Sequence, residues 1–297
     1  MIQIMGAGAL GSLLGALLQL SGKEVVFVAR GKQLEALRKK LVISGLINAE
    51  LEVKVVEKPI DAEITLFTVK AYDTNLAAES LSKVNPGIVC SLQNGIGVEE
   101  ILKKHVKRVI RGVTNYGANL LDYGKVEYAG EGFIYLPRNP EAEKVAMVLR
   151  EANLRVELVE NIDFFIWVKT IVNSVINPLT AICRVRNGFV IENENIWFLA
   201  EKIAEEGKNL LEKLGYKFDV ISEVKRVARM TAKNKSSMLQ DVLRGKRTEI
   251  DYINGAIVKK CKELGIECGM NEIIWKIVKG IEDGFSLCDS NFCDARI

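Results

Sequence analysis

The chain has 297 residues, of which 48% are hydrophobic, a formal net charge of +3 and six cysteines. This length allows one large or two ordinary domains with their own apolar cores, so no disulfide scaffold is needed. The cysteines form no CxxC pair and only one histidine accompanies them, so we predict no metal site. The charge is spread over mixed Lys/Glu helices rather than a basic stripe, so we predict no nucleic-acid partner.

The first residues read M-I-Q-I-M-G-A-G, without the charged segment, long apolar run and cleavage site of a signal peptide. The chain also has no charge-free stretch of about 18 residues, the length that a membrane-spanning helix needs. We therefore expect a cytoplasmic protein with no membrane partner.

Short β-rich runs alternate with helical stretches in the first half, which indicates a parallel sheet covered by helices. The predicted strands are residues 2–5, 24–29, 64–69, 88–92 and 109–114. An added antiparallel pair is predicted from residues 125–129 and 132–136. A helix from Pro140 and a strand at residues 154–159 follow.

Strand patterns end near residue 163, after which apolar residues recur with helical spacing. The predicted amphipathic helices are residues 164–175, 195–214, 220–231, 248–264 and 272–283. The sequence therefore predicts an α/β fold, with an N-terminal Rossmann-type domain (1–162) and a C-terminal all-α domain (163–297).

A glycine-rich hexapeptide connects the first strand to an apolar helix; its residues are Gly6, Ala7, Gly8, Ala9, Leu10 and Gly11. In a dinucleotide-binding turn the first glycine permits the tight turn and the second lets the backbone approach the pyrophosphate. The third lets the helix pack on the strand, and the helix N-terminus attracts the phosphates. A turn that serves packing alone is the alternative, but the flanking strands and helix favour dinucleotide binding.

The end of the second strand bears on the choice of cofactor. Sites that prefer NAD usually place Asp or Glu there, whereas this chain has Arg30 followed by Lys32. A guanidinium can pair with a 2′-phosphate. We predict NADPH as the cofactor and keep NADH as an alternative, since a solvated basic turn would look the same.

Reducing a ketone requires a group that protonates or polarises the carbonyl oxygen. The single histidine, His105, lies in a basic run that we expect to end a surface helix, so a lysine must be considered. Lys169, Asn173 and Asn177 recur at every fourth residue and would share one stripe of a helix. They can hold a carboxylate, a hydroxyl and a developing alkoxide; bonding of helix ends across a domain interface is the alternative.

A second polar constellation contains Asn234 and Ser237, followed by a run from Thr248. Thr248 fits a helix N-cap with Asp251 three residues later. Capping does not explain Glu249. This carboxylate would either bind a substrate hydroxyl or pair with Lys169; an exposed first-turn acid is the alternative.

These runs resemble the signatures of the ketopantoate reductase family. In the second half the resemblance rests on residues 168–182, 236–241 and 248–255. In the first half the glycine hexapeptide, residues 69–72 (V-K-A-Y) and residues 93–97 (Q-N-G-I-G) occur in the family's order. The likeness spans nearly the whole chain, and the motifs of the second half are the more specific.

The resemblance implies NADPH-dependent reduction of 2-dehydropantoate to (R)-pantoate, a step toward coenzyme A, in a cleft between the two domains. Lys169 would be the general acid. Glu249 would orient the substrate hydroxyl and Lys169, and Asn94 would bridge the nicotinamide region and the lysine.

The same resemblance implies the binding residues. Asn173 and Asn177 would bind the hydroxyl end of the substrate, and Ser237 and Asn234 would bind its carboxylate. The phosphates of the cofactor would be held by Lys70 and Arg30.

Two other functions stay open: a reductase of another small 2-keto acid or a phosphorylated carbonyl, and a non-catalytic NADPH sensor. A sensor has no need for the catalytic set. Apolar helices also leave a homodimer open. Cys90, before Asn94, would be either a reactive thiol near the nucleotide or a core cysteine. The tail from Cys288 is expected to be loose, and Cys288 could pair with Cys293 in a heat-adapted source.

Overall fold

The computed structural model describes residues 1–285. The chain forms two compact units, the first comprising Met1–Ile166 and the second beginning at Trp167. The expected loose tail and its Cys288–Cys293 disulfide lie outside the described residues.

The first unit alternates strands and helices. Its elements in chain order are β1 (Ile2–Met5), α1 (Ala9–Leu20), β2 (Val25–Val28), α2 (Gly31–Leu37), β3 (Leu41–Gly45), β4 (Ala49–Leu51), β5 (Lys54–Val56), β6 (Ile64–Phe67), α3 (Thr74–Leu81), β7 (Ile88–Ser91), α4 (Val98–Lys103), β8 (Val109–Arg111), β9 (Val113–Thr114), β10 (Gly117–Asp122), β11 (Lys125–Gly130), β12 (Ile134–Pro137), α5 (Pro140–Glu151) and β13 (Val156–Val159).

Within the described residues, the main sheet has the strand order β5-β2-β1-β6-β7-β8 with every neighbouring pair parallel. Strands β1, β2, β6 and β7 are buried along their whole length. Apolar runs of this kind form strands that helices cover on both faces. The winding direction reverses between β1 and β6, and open α/β sheets bind ligands at such a switch point. The predicted α/β class and four of the five sheet strands are confirmed.

The fifth predicted strand, residues 109–114, is confirmed at residues 109–111 and 113–114, but it is broken into two strands at Gly112. Residues up to Arg111 complete the main sheet, whereas β9 joins a separate sheet of order β13-β12-β9. A Cβ at residue 112 would lie 2.6 Å from a methyl group of Leu136 and 2.8 Å from one of Leu92. The glycine therefore allows the close approach of the two sheets at this point.

The predicted antiparallel pair of residues 125–129 and 132–136 is wrong. Strand β11 pairs antiparallel with β10 and parallel with β3, whereas β12 pairs with β13 and β9. The hairpin turn instead contains Gly124, whose φ of +71° favours glycine. Alternating hydrophobicity reveals a strand but does not identify its partner, and β3, β4, β5 and β10 were not predicted.

The second unit is helical throughout its described part. Its elements are α6 (Ile162–Cys183), which begins in the first unit, α7 (Phe189–Glu192), α8 (Glu194–Lys213), α9 (Val220–Met230), α10 (Ser237–Leu243), α11 (Asn254–Leu264) and α12 (Gly269–Phe285). Its main core packs Ile171 and Val175 of α6 with Ile203 and Leu210 of α8. The helices predicted at 195–214, 220–231 and 272–283 are confirmed, whereas α10 was not predicted.

Two predicted helices have different bounds. The helix predicted at 164–175 continues through Pro178 to Cys183. The helix predicted at 248–264 begins at Asn254, because residues Ile250–Tyr252 form a 3-10 turn. Thr248 does not cap this helix as predicted, because the helix begins six residues later. Its hydroxyl accepts from the Ile250 backbone N–H at 3.2 Å and donates to Glu282 at 2.6 Å.

Helix α6 is long and apolar enough to span a membrane by length and composition alone. However, 67% of its most apolar 18-residue window is buried inside the protein. This burial is that of a core helix.

Candidate active site

The residues predicted to contact a cofactor follow the carboxyl ends of four neighbouring strands. The glycine turn follows β1, Arg30 follows β2, Lys70 follows β6 and Asn94 follows β7. The carboxyl ends of parallel strands meet at one edge of a sheet. The structure therefore brings these four predicted segments to the same edge.

Two glycines of the turn are required by the fold itself. Gly6 has a φ of +102°, and a Cβ there would lie 2.7 Å from the backbone nitrogen of Val69. A Cβ at Gly11 would collide with the Gly6 carbonyl oxygen and lie 2.5 Å from the Thr68 hydroxyl. These residues close the turn and seat α1 on β1 and β6.

Gly8 differs from both, because the fold does not require a glycine there. Its φ is −77°, and a Cβ would meet no atom of the described residues within 4 Å. Gly8 precedes α1 and has no side chain to cap it, and the first turn of α1 contains no acidic residue. Open space over an uncapped helix N-terminus fits the phosphates of a dinucleotide.

Gln33 of α2 ties the glycine turn to the β10–β11 hairpin, and the sequence reasoning missed it. Its Nε2 donates to the Ala7 carbonyl at 2.7 Å, and its Oε1 accepts from the Gly124 backbone N–H at 3.0 Å. The Ser12 hydroxyl also donates to the Ala7 carbonyl, at 3.1 Å. The peptide between the first two glycines is thus held from two sides.

The basic residues near this edge differ in exposure. Arg30 is exposed at the residue that precedes α2, and Lys32 is exposed in the first turn of that helix. Lys70 is half-buried before the 3-10 turn Ala71–Asp73. Arg30 and Lys32 are therefore free to reach a ligand phosphate without first leaving a buried position.

Asn94 lies in a turn that buried polar side chains hold in place. The Gln93 amide donates to the Val69 carbonyl at 2.9 Å and to the Thr74 hydroxyl at 2.8 Å. The Arg111 guanidinium donates to the Gly95 carbonyl at 2.9 Å. A charged residue inside the apolar run V-I-R-G-V was a signal for Arg111 that the sequence reasoning did not use.

Cys90 and His105 are the two other residues that the sequence analysis considered for a reactive role. Cys90 is completely buried, and burial raises the pKa of its thiol to about 12 despite the opposing charge of Arg111. Because the thiolate is the reactive form, Cys90 is a core cysteine and not the reactive thiol considered above. His105 follows α4 and shares a 3.1 Å hydrogen bond with the Asn75 side chain.

In the second unit, Lys169, Asn173 and Asn177 share the continuous helix α6 at four-residue spacing, as predicted. Lys169 and Asn173 are half-buried, and Asn177 is 7% exposed. Residues at i, i+4 and i+8 lie along one face of a helix. One ammonium and two carboxamides therefore form a polar stripe on a mostly apolar helix.

The start of α10 is fastened to this stripe through Ser236. Its hydroxyl accepts from the Leu239 backbone N–H at 3.1 Å and is 2.7 Å from the Thr180 hydroxyl of α6. It also lies 3.5 Å from the Asn177 carbonyl. Ser237 is exposed in the first turn of α10, so the structure brings the predicted Ser237 segment next to Asn177. Asn234, half-buried, is in the loop just before it.

Glu249 is buried, with 5% exposure, and is not the exposed first-turn acid of the alternative. The preceding Thr248 is clamped by Glu282 of α12, whose Oε1 accepts from the Thr248 backbone N–H at 2.7 Å and from its hydroxyl at 2.6 Å. Beyond Glu249, Asp251 accepts from the Trp275 indole N–H at 2.8 Å. Helix α12 therefore holds the chain on both sides of Glu249.

Asn254, the first residue of α11, links this segment to α6. It is fully buried, and its Nδ2 donates to the Ser174 carbonyl and to Asn271 Oδ1, each at 3.0 Å. Asn271 in turn donates to Glu206 at 2.8 Å. A buried polar chain thus joins the Lys169 helix to the segment that carries Glu249.

Within the described part of the chain, no group of three or more His, Cys, Asp or Glu side chains is placed to hold a metal ion.

Comparison with known proteins gives concordant matches along the chain. The family described as "Ketopantoate reductase PanE/ApbA" matches residues 2–141, and its C-terminal counterpart matches residues 161–282. A 2-dehydropantoate 2-reductase of Archaeoglobus fulgidus is 58% identical over an alignment of 288 residues, and the match covers 95% of this chain and 98% of that protein.

Solved structures agree over the same span. A ketopantoate reductase from Ralstonia eutropha JMP134 is similar with a TM-score of 0.89 and 29% identity, covering 96% of this chain and 99% of the other. D-mandelate dehydrogenase in a ternary structure with NADH and anilino(oxo)acetate has a TM-score of 0.89 and 27% identity over the same shares.

A doubly wound sheet with a glycine turn at its switch point, continued by a helical unit, defines a dinucleotide-binding fold of the Rossmann class. Within that class, the chain belongs to the ketopantoate reductase family. The resemblance predicted from the sequence motifs is confirmed.

Proposed function

We propose that the chain is a 2-dehydropantoate 2-reductase that uses NADPH to form (R)-pantoate. The observation that carries this proposal is the stripe of Lys169, Asn173 and Asn177 on one uninterrupted helix, joined through Asn254 to the segment of the buried Glu249. The 58% identical relative bears the same activity in its name. A non-catalytic sensor would not need this set.

The dinucleotide site of the proposal is the edge of the main sheet. The glycine turn and the N-terminus of α1 would hold the pyrophosphate, and Gln33 fixes the Ala7 peptide of that turn. Arg30 and Lys70 supply positive charge for the phosphates. Arg30 would select NADPH over NADH by pairing with the 2′-phosphate, which NADH lacks. The bound nicotinamide supplies the hydride that adds to the ketone carbon.

Lys169 supplies the proton in this mechanism. As hydride reaches the carbonyl carbon, the carbonyl oxygen gains negative charge, which the Lys169 ammonium stabilises before its Nζ proton passes to that oxygen. Glu249 holds the Lys169 ammonium and the substrate hydroxyl in position. Asn94 would hydrogen-bond the nicotinamide region and the lysine through its amide, the role that the family resemblance gives it.

The remaining stripe and the start of α10 bind the substrate. Asn173 and Asn177 hydrogen-bond its hydroxyl end, and Ser237 and Asn234 bind its carboxylate. This assignment places the carboxylate near the N-terminus of α10, which Ser236 positions against α6.

The test is consumption of NADPH and of NADH with 2-dehydropantoate and with an aryl 2-keto acid, the latter because D-mandelate dehydrogenase shares the fold. The proposal expects kcat/KM to be highest for 2-dehydropantoate with NADPH, and (R)-pantoate as the product on a chiral column. A preference for the aryl keto acid would identify a reductase of another 2-keto acid. Cofactor binding without oxidation of any substrate would identify a sensor.

The proposal extends to location and assembly. The enzyme works in the cytoplasm, residues 1–162 serve the cofactor, and residues 163–297 serve the substrate. The apolar helices of the second half support a homodimer, which light scattering of the purified protein measures directly.

A further inference from the structure

Arg111 is a buried cation at the carboxyl end of β8 that the proposed mechanism does not use. Its side chain is 5% exposed, and in the sheet it pairs in register with Ser91 of β7. The other residues of β8, Val109 and Ile110, are apolar. Burying a guanidinium costs free energy unless hydrogen bonds or a partner charge compensate for the lost water. A buried arginine therefore suggests that its hydrogen bonds have a role that an apolar residue could not fill.

The hydrogen bonds of Arg111 reach both ends of the turn that carries Asn94. Nη2 donates to the Gly95 carbonyl at 2.9 Å. Nη1 donates to the carbonyl and to the hydroxyl of Ser91, each at 3.3 Å. The planar guanidinium thus joins the last residue of β7 to the residue that follows Asn94, a span that suits its rigid fork of donors.

Gln93 holds the turn from the other side of Asn94. Its Oε1 accepts from the Ser91 hydroxyl at 3.1 Å, so Ser91 connects Gln93 to Arg111. Its Nε2 donates to the Val69 carbonyl, which follows β6, and to the hydroxyl of Thr74, the first residue of α3. Both neighbours of Asn94 in the chain are therefore anchored by buried side chains.

The turn needs such anchors because its backbone is rich in glycine. Gly95 has a φ of +83° and Gly97 a φ of +89°. Glycine has the largest conformational freedom of all residues. Without outside contacts the direction of the Asn94 side chain would be poorly fixed.

We propose that Arg111 is a positioning residue, which fixes the Gly95 peptide and thereby sets the direction in which Asn94 presents its amide. The inference rests on the proposed function, in which Asn94 acts beside the nicotinamide. Ser91 and Gln93 complete the anchor. The phosphate-binding turn is held separately by Gln33 and Ser12, so loss of Arg111 affects turnover more than cofactor affinity.

The experiment compares Arg111→Met with the matched variant Arg108→Met. Arg108 lies in the same segment, but it is exposed and pairs with Glu141 at 2.6 Å. In Arg111→Met, kcat is expected to fall about 10- to 100-fold, as misplacement of a catalytic group does. The Kd for NADPH, measured by fluorescence titration, should stay within a factor of about three, which is less than 1 kcal/mol. Arg108→Met should keep the wild-type kcat.

A double-mutant cycle with Asn94→Ala distinguishes positioning from general damage. If Arg111 acts through Asn94, Arg111→Met lowers kcat little further once Asn94 is removed. The inference would be overturned if the fold-losses in kcat of Arg111→Met and Asn94→Ala simply multiplied in the double variant. A wild-type kcat in Arg111→Met alone would also overturn it. A wild-type kcat in Asn94→Ala would remove the role proposed for Asn94 as well, so the two failures are distinguishable.

Two milder variants keep the test decisive if Arg111→Met does not fold. Arg111→Lys keeps the charge but loses the fork, and Ser91→Ala removes only the hydroxyl that links Arg111 to Gln93. Both are expected to lower kcat at unchanged NADPH affinity. Wild-type kcat in both would overturn the inference.

Discussion

The Asn254 side chain donates from Nδ2 to the Ser174 carbonyl at 3.0 Å, and Ser174 is the residue four positions before Pro178 in α6. Proline has no backbone N–H, so this carbonyl lacks its usual partner one turn ahead. Asn254 supplies the missing donor from another helix. The proline therefore leaves the Ser174 carbonyl free to accept a hydrogen bond from Asn254, and this bond links the Lys169 helix to the segment after Glu249.

This relationship predicts a coupling between Asn254 and Pro178. Asn254→Ala leaves the buried Ser174 carbonyl and Asn271 Oδ1 without this donor, so the free energy of unfolding should fall by about 1–3 kcal/mol. In a Pro178→Ala background the loss should be smaller, because residue 178 then has an N–H for the Ser174 carbonyl. Urea unfolding of the four proteins measures the coupling. Equal losses in both backgrounds would show that the two residues are independent.

The glycine turn predicts opposite effects at two glycines. Gly8→Ala should leave the free energy of unfolding nearly unchanged, since its φ is ordinary and its Cβ meets no described atom within 4 Å. It should weaken NADPH binding about tenfold or more, which corresponds to ~1.4 kcal/mol, because the methyl group fills the phosphate space. Gly6→Ala should instead lower stability by more than about 1 kcal/mol, since its φ is positive. Thermal unfolding and NADPH titration measure both; unchanged affinity in Gly8→Ala would refute the phosphate site.

Much of this fold was predictable because its main sheet is encoded locally. Strands β1, β2, β6 and β7 are buried along their whole length and mostly apolar, and a run of this kind is enough to indicate a buried parallel strand. The small sheets were not predictable in the same way. Strand β11 finds its partners in β10 and in the distant β3, and the choice of partner depends on tertiary packing rather than on the strand's own pattern.

The candidate site, like the fold, contains features that the local sequence encodes and features that depend on distant contacts. The spacing of Lys169, Asn173 and Asn177 follows from helix geometry and was correct. Gln33 bonds a backbone carbonyl that is distant in sequence, and no local motif indicates that contact. The charge of Arg111 inside an apolar run was a signal, but the run does not identify the Gly95 carbonyl as its partner. The boundary at Asn254 was missed because an acid three residues after Thr248 resembles a capping box, whereas the side chain of Asp251 bonds Trp275.

Cofactor choice should depend on Arg30. Arg30→Ala is expected to raise the KM for NADPH by about 10- to 100-fold, because it removes a charge-assisted hydrogen bond worth about 1.5–3 kcal/mol. The KM for NADH should change little, because NADH has no 2′-phosphate. Arg38→Ala removes another exposed arginine, at the other end of α2, and should change the KM for neither cofactor. Steady-state kinetics with both cofactors measure the ratio. An equal rise for NADPH and NADH would contradict selection of the 2′-phosphate by Arg30.

Asp251 should contribute stability that depends on pH. Burial raises the pKa of its carboxyl, but hydrogen bonds from Trp275 and Arg247 and the charge of Lys279 outweigh burial, so the pKa lies below its ordinary 3.8. A lowered folded-state pKa stabilises the fold fully above the unfolded value, and this contribution disappears as the pH falls through the folded value.

Asp251→Asn should therefore lower the free energy of unfolding at pH 7 by about 1–2 kcal/mol. The difference from the wild type should shrink as the pH falls below 3.8, which unfolding curves at several pH values measure. Asp283→Asn, an exposed position on the same α12 that bonds Asp251, serves as the control and should show no such change. A difference from the wild type that is constant with pH would contradict the lowered pKa.

Removal of the Lys169 ammonium tests the proposed chemistry most directly. Lys169→Ala should bind NADPH with a Kd within about threefold of the wild type and should lose about 10²- to 10⁴-fold in kcat with 2-dehydropantoate, the usual contribution of a general acid. Added ethylammonium should restore part of the rate, while the exposed Lys259→Ala keeps full activity. A Lys169→Ala enzyme that turns over at the wild-type rate would contradict proton donation by this lysine.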